Sequence, residues 1–266
     1  MSKKIVLDPG HGGRDSGATG FGLLEKNWTL DIAKRVGSLL TRYGATVLYT
    51  RTGDSYIGIN NRIAFANSRK ADYYFSFHIN AGRGKGFESF TSVRGSKESK
   101  RIQGIVTNDV LTFLKGYGIG AHGNSIKTDN LAARGRIGVV TFTHMPAVLF
   151  ENLFIDTKSE NDLLKSEDFK SKLAQVYANS IAKCVGLKAT FTPVATASSP
   201  SYTRLLKLRK PMMRGDDVRA IQRKLGVSAD GIYGPVTRNA VIKFQRKEQI
   251  LVDGIVGKQT WSRLFG

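Results

Sequence analysis

The sequence predicts an α/β fold: an open, mostly parallel sheet with helices on both faces, followed by a small all-helical C-terminal domain. Three observations carry this. Short apolar runs lacking polar alternation, the mark of strands buried on both faces, alternate with segments of helical period. Ionisable residues fall just past the ends of three runs, on the edge where open α/β sheets build sites. Residues 190–202, TFTPVATASSPSY, are small, polar and aperiodic, and set off a tail with its own repeat. The domains expected are therefore 1–189, a linker at 190–204, and 205–266.

The first strand is Ile5–Leu7, broken at once by Asp8-Pro9-Gly10 and followed by His11 in a Gly-rich turn. From Leu23 to Tyr43 the residues Leu30, Ala33, Val36, Leu40 and Tyr43 share a helical face, closed by Gly44. Ala45–Thr50 reads as a strand, Tyr56–Ser68 as a helix, and Asp72–His78 (DYYFSFH) as a strand ending on a second histidine. Gly86–Thr91 is a short strand, Lys97–Tyr117 a helix, Ala147–Phe150 a strand ending on Glu151, and Asp168–Val185 a helix. In the tail, DGIYGPVT at 230–237 is echoed by DGIVGKQT at 253–260, two turns each leading into a helix within a three-helix module.

With 266 residues and one cysteine, Cys184, the chain forms no intrachain disulfide, and Cys184 reads as a buried small hydrophobe. No apolar run reaches membrane-spanning length, and Asp8 and Pro9 interrupt the N-terminal run too early for a signal peptide. The expectation is a monomer made in the cytoplasm without a signal and without integral membrane association. Lys and Arg number 41 against 21 Asp and Glu, a net charge of +20 that favours a polyanionic partner. The tail from residue 201 holds 14 of those basic residues and 5 acidic ones, so both parts are basic. No zinc finger, single-strand-binding aromatic repeat or recognition helix supports nucleic acid, which leaves an anionic wall or membrane surface.

Only four histidines are present, and His11 and His78 both fall at strand ends. A catalytic zinc site needs three protein ligands and an open position. Asp8, Asp15, Glu25, Glu88, His122, His144 and Glu151 are the candidates for the third. Spacing alone leaves open whether Glu25 ligates and Glu151 acts as base, or the reverse. Asp8 and Asn80 are candidate partners of the histidine ligands. Arg51 and Arg62 are read as structural, paired with Asp54, and His122, His144 and the run Lys207–Lys210 as solvated or hydrogen-bonded surface.

DPGHGG with His11, the following Glu25, the pattern R-T-x-D-x-Y-x-x-x-x-x-R-x-x-x-A-N over Arg51–Asn67, SFHINA around His78 and PAVLFE ending at Glu151 together resemble the zinc-dependent N-acetylmuramoyl-L-alanine amidases of bacteria and phages. The likeness spans about 4–183, and the tail at about 208–265 resembles peptidoglycan-binding modules. The resemblance implies hydrolysis of the amide between N-acetylmuramic acid and L-alanine. It implies one Zn2+ per chain on His11, Glu25 and His78, a zinc-bound water as nucleophile, and Glu151 as general base and acid. It implies peptidoglycan, and anionic wall polymers, as partners, and wall lysis after release through a membrane lesion, as a phage endolysin or a sporulation amidase. A non-catalytic wall-binding protein and a zinc endopeptidase cutting stem peptides are the alternatives. One departure stands out: Leu153 occupies a position after the catalytic glutamate where the family usually has glycine, which suggests a reshaped cleft floor.

Overall fold

The computed structural model describes residues 2–132, 135–187, 202–227 and 229–265. The chain divides into two compact units, residues 1–191 and 192–266. The linker expected at 190–204 lies largely outside the described residues.

The first unit is built on a six-stranded sheet in the order β4-β1-β5-β8-β6-β7. Its strands are β1 (Lys4–Pro9), β4 (Thr46–Tyr49), β5 (Tyr73–Asn80), β6 (Phe87–Thr91), β7 (Ala121–Thr128) and β8 (Ala147–Phe154), while β2 (Thr19–Gly20) and β3 (Leu23–Leu24) form a separate small hairpin. Strands β4, β1, β5 and β8 are mutually parallel, and β6 and β7 run opposite to them. The sheet is mostly parallel, as the alternation of apolar runs and helical segments predicts. From β1 the chain moves outward to β4 and then returns past β1 to β5. The crevice at the C-terminal ends of β1 and β5 is therefore a topological switch point, where open sheets bind ligands.

Helices cover both faces. On one side lie α1 (Glu25–Arg42), α3 (Lys97–Lys115) and α6 (Glu167–Val185), around a core that includes Ile5, Leu7, Phe75, Phe77, Val148 and Phe150. Helix α1 forms because Trp28, Ile32, Val36 and Leu40 recur at a four-residue spacing on one buried face. Burying Ile32, Val36 and Leu40 contributes about 1.5–3 kcal/mol each. The other face carries α2 (Ile59–Ser68) and the short α4 (Gly138–Thr141) over a smaller core of Val6, Ala66, Tyr74, Val139, Ala147 and Leu149. Helix α5 (Lys158–Lys165) follows β8.

Three boundaries differ from the sequence reading in a way that matters. Strands β5 and β8 run on to Asn80 and Phe154, so His78 and Glu151 stand inside the last rows of the sheet rather than beyond it. Helix α1 begins at Glu25 itself, because the β2–β3 hairpin occupies the residues just before it.

The second unit holds α7 (Asp216–Leu225), α8 (Pro235–Lys247) and α9 (Lys258–Phe265) around Leu206, Val218, Ile221, Tyr233, Val241, Val256 and Trp261. Its repeated turns are tied down by two buried glutamines in matching cages. Gln222 donates through Nε2 to Asp230 Oδ1, the Ile232 carbonyl and Thr237 Oγ1, and accepts from Gly231 N. Gln245 repeats each bond with Asp253, Ile255, Thr260 and Gly254. The aspartates and threonines of the repeat therefore brace the module.

Candidate active site

The turn after β1 is shaped by close approach. At Gly10, an added Cβ would sit 2.3 Å from His78 Cε1, and at Gly17, with φ +64°, it would sit 2.6 Å from Glu25 Oε2. No side chain fits at either point without displacing a site residue. His11 itself has φ 61°, a left-handed conformation that the surrounding structure must hold in place.

Two buried arginines do the holding. Arg51 donates to the carbonyls of Pro9 (3.1 Å), Gly10 (2.9 Å) and Lys26 (2.7 Å). Arg62 donates to the carbonyls of Pro9 and His11, each at 2.7 Å, and to Asp8 Oδ1 at 2.5 Å. Both are structural, but neither pairs with Asp54 as expected; Asp54 pairs with Lys26 instead. Asp8 also accepts from Thr50 (2.5 Å) and Ser76 (2.7 Å). Burial pushes the Asp8 carboxyl up, but the Arg62 charge and these hydrogen bonds outweigh it and hold it below its ordinary value.

The turn delivers His11 to the C-terminal edge, where Glu25 reaches over from the start of α1. Glu25 Oε1 lies 3.2 Å from His11 Nε2 and 3.0 Å from His78 Nδ1, and the two rings meet edge to face with centroids 4.9 Å apart. Backbone amides complete the grip: Ile79 N donates to Oε1 (2.9 Å) and Ala18 N to Oε2 (2.7 Å). Burial favours the neutral acid, yet the hydrogen bonds and charges of the two imidazoles keep Glu25 ionised far below the usual carboxylate range. One donor atom from each of the three residues falls within 4.8 Å of the other two. Two imidazole nitrogens and a carboxylate oxygen form a donor set suited to zinc. Asp15 orients the first ring, accepting from His11 Nδ1 at 2.9 Å, as an outer partner of a histidine ligand does.

Glu151 stands beside this group by register. On β8 it is paired with His78 of β5 on one side and Glu88 of β6 on the other, so the three side chains form one row on the same face of the sheet. The rows below it grade from apolar (Val6, Tyr74, Ala147) to mixed (Asp8, Ser76, Leu149, Phe90). The carboxyl Oε2 of Glu151 is buried with no hydrogen-bond partner. Burial, then the negative charges of Glu25 and Glu88, push its proton affinity well above that of an ordinary glutamate. Glu88 is itself compensated by an ion pair with Lys127 and a 2.5 Å hydrogen bond from Asn80 Nδ2.

The structure thus gathers His11, Glu25, His78 and Glu151 at one edge. Asp8 and Asn80 bond to other groups than the two histidines. His122 Nδ1 lies 3.0 Å from the Lys85 carbonyl with its ring against Phe154, and His144 is exposed. Cys184 is buried, and residues 207–210 are exposed. From sequence Asp15 and Glu88 are only possible ligands, and nothing there marks Asn152, which donates to the His78 carbonyl at 3.0 Å and is held by Tyr177. Leu153 corrects another expectation. It has φ 60° and is 1% exposed within the large core, so it packs away from the cleft floor.

Comparison with known proteins gives a consistent picture. Residues 5–183 match the family model described as N-acetylmuramoyl-L-alanine amidase, and residues 214–264 match that of a peptidoglycan binding domain. An endolysin of Bacillus phage SPP1 is 41% identical over 192 residues, covering 71% of this chain and 68% of the relative. A sporulation-specific N-acetylmuramoyl-L-alanine amidase of Bacillus subtilis (strain 168) is 38% identical over 193 residues, 70% of each. Among solved structures, an N-acetylmuramoyl-L-alanine amidase from Clostridium difficile 630 superposes with a TM-score of 0.63 at 26% identity, covering 70% of this chain and 98% of that one.

Proposed function

The chain belongs to the N-acetylmuramoyl-L-alanine amidase family, and from that membership we propose that it cuts peptidoglycan at the amide joining N-acetylmuramic acid to L-alanine, with one zinc ion on His11, Glu25 and His78 and Glu151 as proton carrier. The observation that carries the reading is a pair of glutamates driven in opposite directions: Glu25 is gripped as an anion between two imidazoles, and Glu151 is left with a buried, unpartnered oxygen. Zinc, when bound, supplies Lewis acidity toward the amide carbonyl and makes water acidic enough to react near neutral pH.

The remaining work belongs to the chain. Asp15 keeps the His11 ring aimed through its Nδ1 hydrogen bond. The Glu151 carboxylate takes the proton from the attacking water. Its raised affinity lets it hold that proton until the alanine nitrogen, a poor leaving group unless protonated, accepts it. Water and amide become a lactyl acid and a free alanine amine. Residues 1–189 perform this chemistry, 190–204 link, and 205–266 keep the enzyme on the wall. Wall lysis, in the manner of an endolysin or a sporulation amidase, is the role proposed.

The test compares zinc content and wall turnover of the wild type with Glu151→Gln. The expected result is zinc retained at one per chain and turnover reduced at least ~100-fold, the scale of general acid–base catalysis. Equal turnover in the variant would remove Glu151 from the mechanism. New alanine amino termini identify the amidase, any other new terminus an endopeptidase, and no product from the wild type a wall-binding protein without activity.

A further inference from the structure

The groove between α7 and α8 lies apart from the catalytic cluster in sequence, within the second unit, and has a volume of about 680 Å³. Its floor is apolar, with Leu225, Phe244 and a 69% exposed Val236. Three exposed lysines, Lys224, Lys243 and Lys247, also line it, together with Asn239, and among the described residues no acidic side chain does. Resting on the wall-directed reading above, we propose that this groove binds a phosphodiester-linked anionic polymer of the cell wall.

The charge is available for a partner. Four of the five acidic side chains of this unit are engaged elsewhere: Asp217 pairs with Arg204, Asp216 with Arg219, and Asp230 and Asp253 are bonded into the glutamine cages, while the fifth, Glu248, caps the end of α8 and lies outside the groove's lining. Among the described residues no ion pair engages Lys224, Lys243 or Lys247, and Lys224 Nζ lies over the face of Phe265, 5.6 Å from the ring centre. Lys243 and Lys247 are one helical turn apart on α8, about 6 Å along its axis. That places two compact cations in a row, suited to a polymer with a single negative charge recurring along its length.

Lysine meets phosphate as a point charge and needs no planar match, so a row of lysines can follow a flexible phosphodiester chain. The apolar strip between the cations takes the carbon backbone of such a polymer, while a neutral glycan would leave three ammonium groups without partners. The glutamine cages fix the helices that line the groove, so the site is formed before the ligand arrives.

The test uses the full chain carrying Glu151→Gln, so that walls stay intact during binding. It compares that chain with one also bearing Lys224→Gln, Lys243→Gln and Lys247→Gln, and with the corresponding Lys→Arg triple. Binding is measured on purified walls before and after hydrofluoric acid removes phosphodiester-linked polymers. At roughly fivefold per lysine, the Gln triple should bind intact walls about 100-fold more weakly. The Arg triple should recover most of that loss, and acid-stripped walls should bind the parent no better than the Gln triple. Full binding by the Gln triple to intact walls overturns the proposal. So does equal binding of the parent to intact and stripped walls, which would give the groove to glycan or stem peptide. The amidase reading is judged separately, by the termini released by the unsubstituted chain, so failure of either leaves the other legible.

Discussion

Leu153 offers the sharpest test of how the backbone around the site is built. A left-handed conformation disfavours a side chain by about 1–2 kcal/mol, yet Leu153 holds φ 60° while 1% exposed in the main core. Leu153→Ala keeps that strain and opens a cavity, for a loss of about 2–5 kcal/mol. Leu153→Gly removes one further buried methyl, worth about 0.8 kcal/mol, and gives the unfolded chain more freedom, but it also relieves the strain. The two variants should therefore agree within about 1 kcal/mol. At an ordinary extended position, glycine would fall below alanine by roughly 1–2 kcal/mol, from backbone freedom and the lost methyl together. Urea unfolding of the three proteins measures this directly. A loss of 3 kcal/mol in a unit of this size also lowers Tm by roughly 6–12 °C. A glycine variant more than about 1.5 kcal/mol below alanine would refute the strained assignment. Per folded molecule, turnover should stay within a few-fold of wild type, since the side chain faces the core. A large drop would return Leu153 to the cleft.

Two further outcomes follow from the same wiring. Asp15→Ala should weaken zinc binding about 10–100-fold in competition with a chromogenic chelator while leaving the fold intact, because Asp15 is half exposed and orients the His11 ring; unchanged affinity would show that it orients nothing. Asp8→Asn should destabilise by about 3–5 kcal/mol at neutral pH, because it strands the buried Arg62. The folded-state pKa of Asp8 is depressed, so its contribution is complete above the unfolded value near 3.9 and is lost as pH falls through the folded value. The gap between wild type and variant, followed by denaturation from pH 7 downward, should narrow in acid; a gap independent of pH would contradict the buried ion pair.

What the sequence made legible depends on which strands are buried on both faces. Strands β1, β5 and β8 are enclosed and read as apolar runs. β7 (AHGNSIKT) lies at the sheet edge with much of its length exposed and carries no such run, so it escaped notice. His11, Glu25 and His78 could be picked out because they follow recognisable turns and strand ends. The Asp8–Arg62 pair joins residues 54 apart and the Glu151–Glu88 row depends on strand register, neither of which periodicity reports. The glutamine cages were within reach: Gln222-Arg223-Lys224 and Gln245-Arg246-Lys247 obey the same 23-residue period as the Asp-Gly turns. The repeat simply begins eight residues before its aspartates.

The open question at the level of sequence was which glutamate binds and which carries a proton. The structure supports an answer that rests on surroundings alone. Glu25 receives two backbone amides and sits between two imidazoles, an arrangement that stabilises negative charge before any cation arrives. Glu151 has the opposite setting, a buried oxygen without a donor and two carboxylates as neighbours. A cation shared by Glu25 draws Glu151 toward its carboxylate form as well, against the burial and the Glu88 charge that push the other way. Lys127 pairs with Glu88, so part of the negative charge facing Glu151 is compensated. Two identical side chains in one cluster are thus given opposite proton affinities by what donates to them.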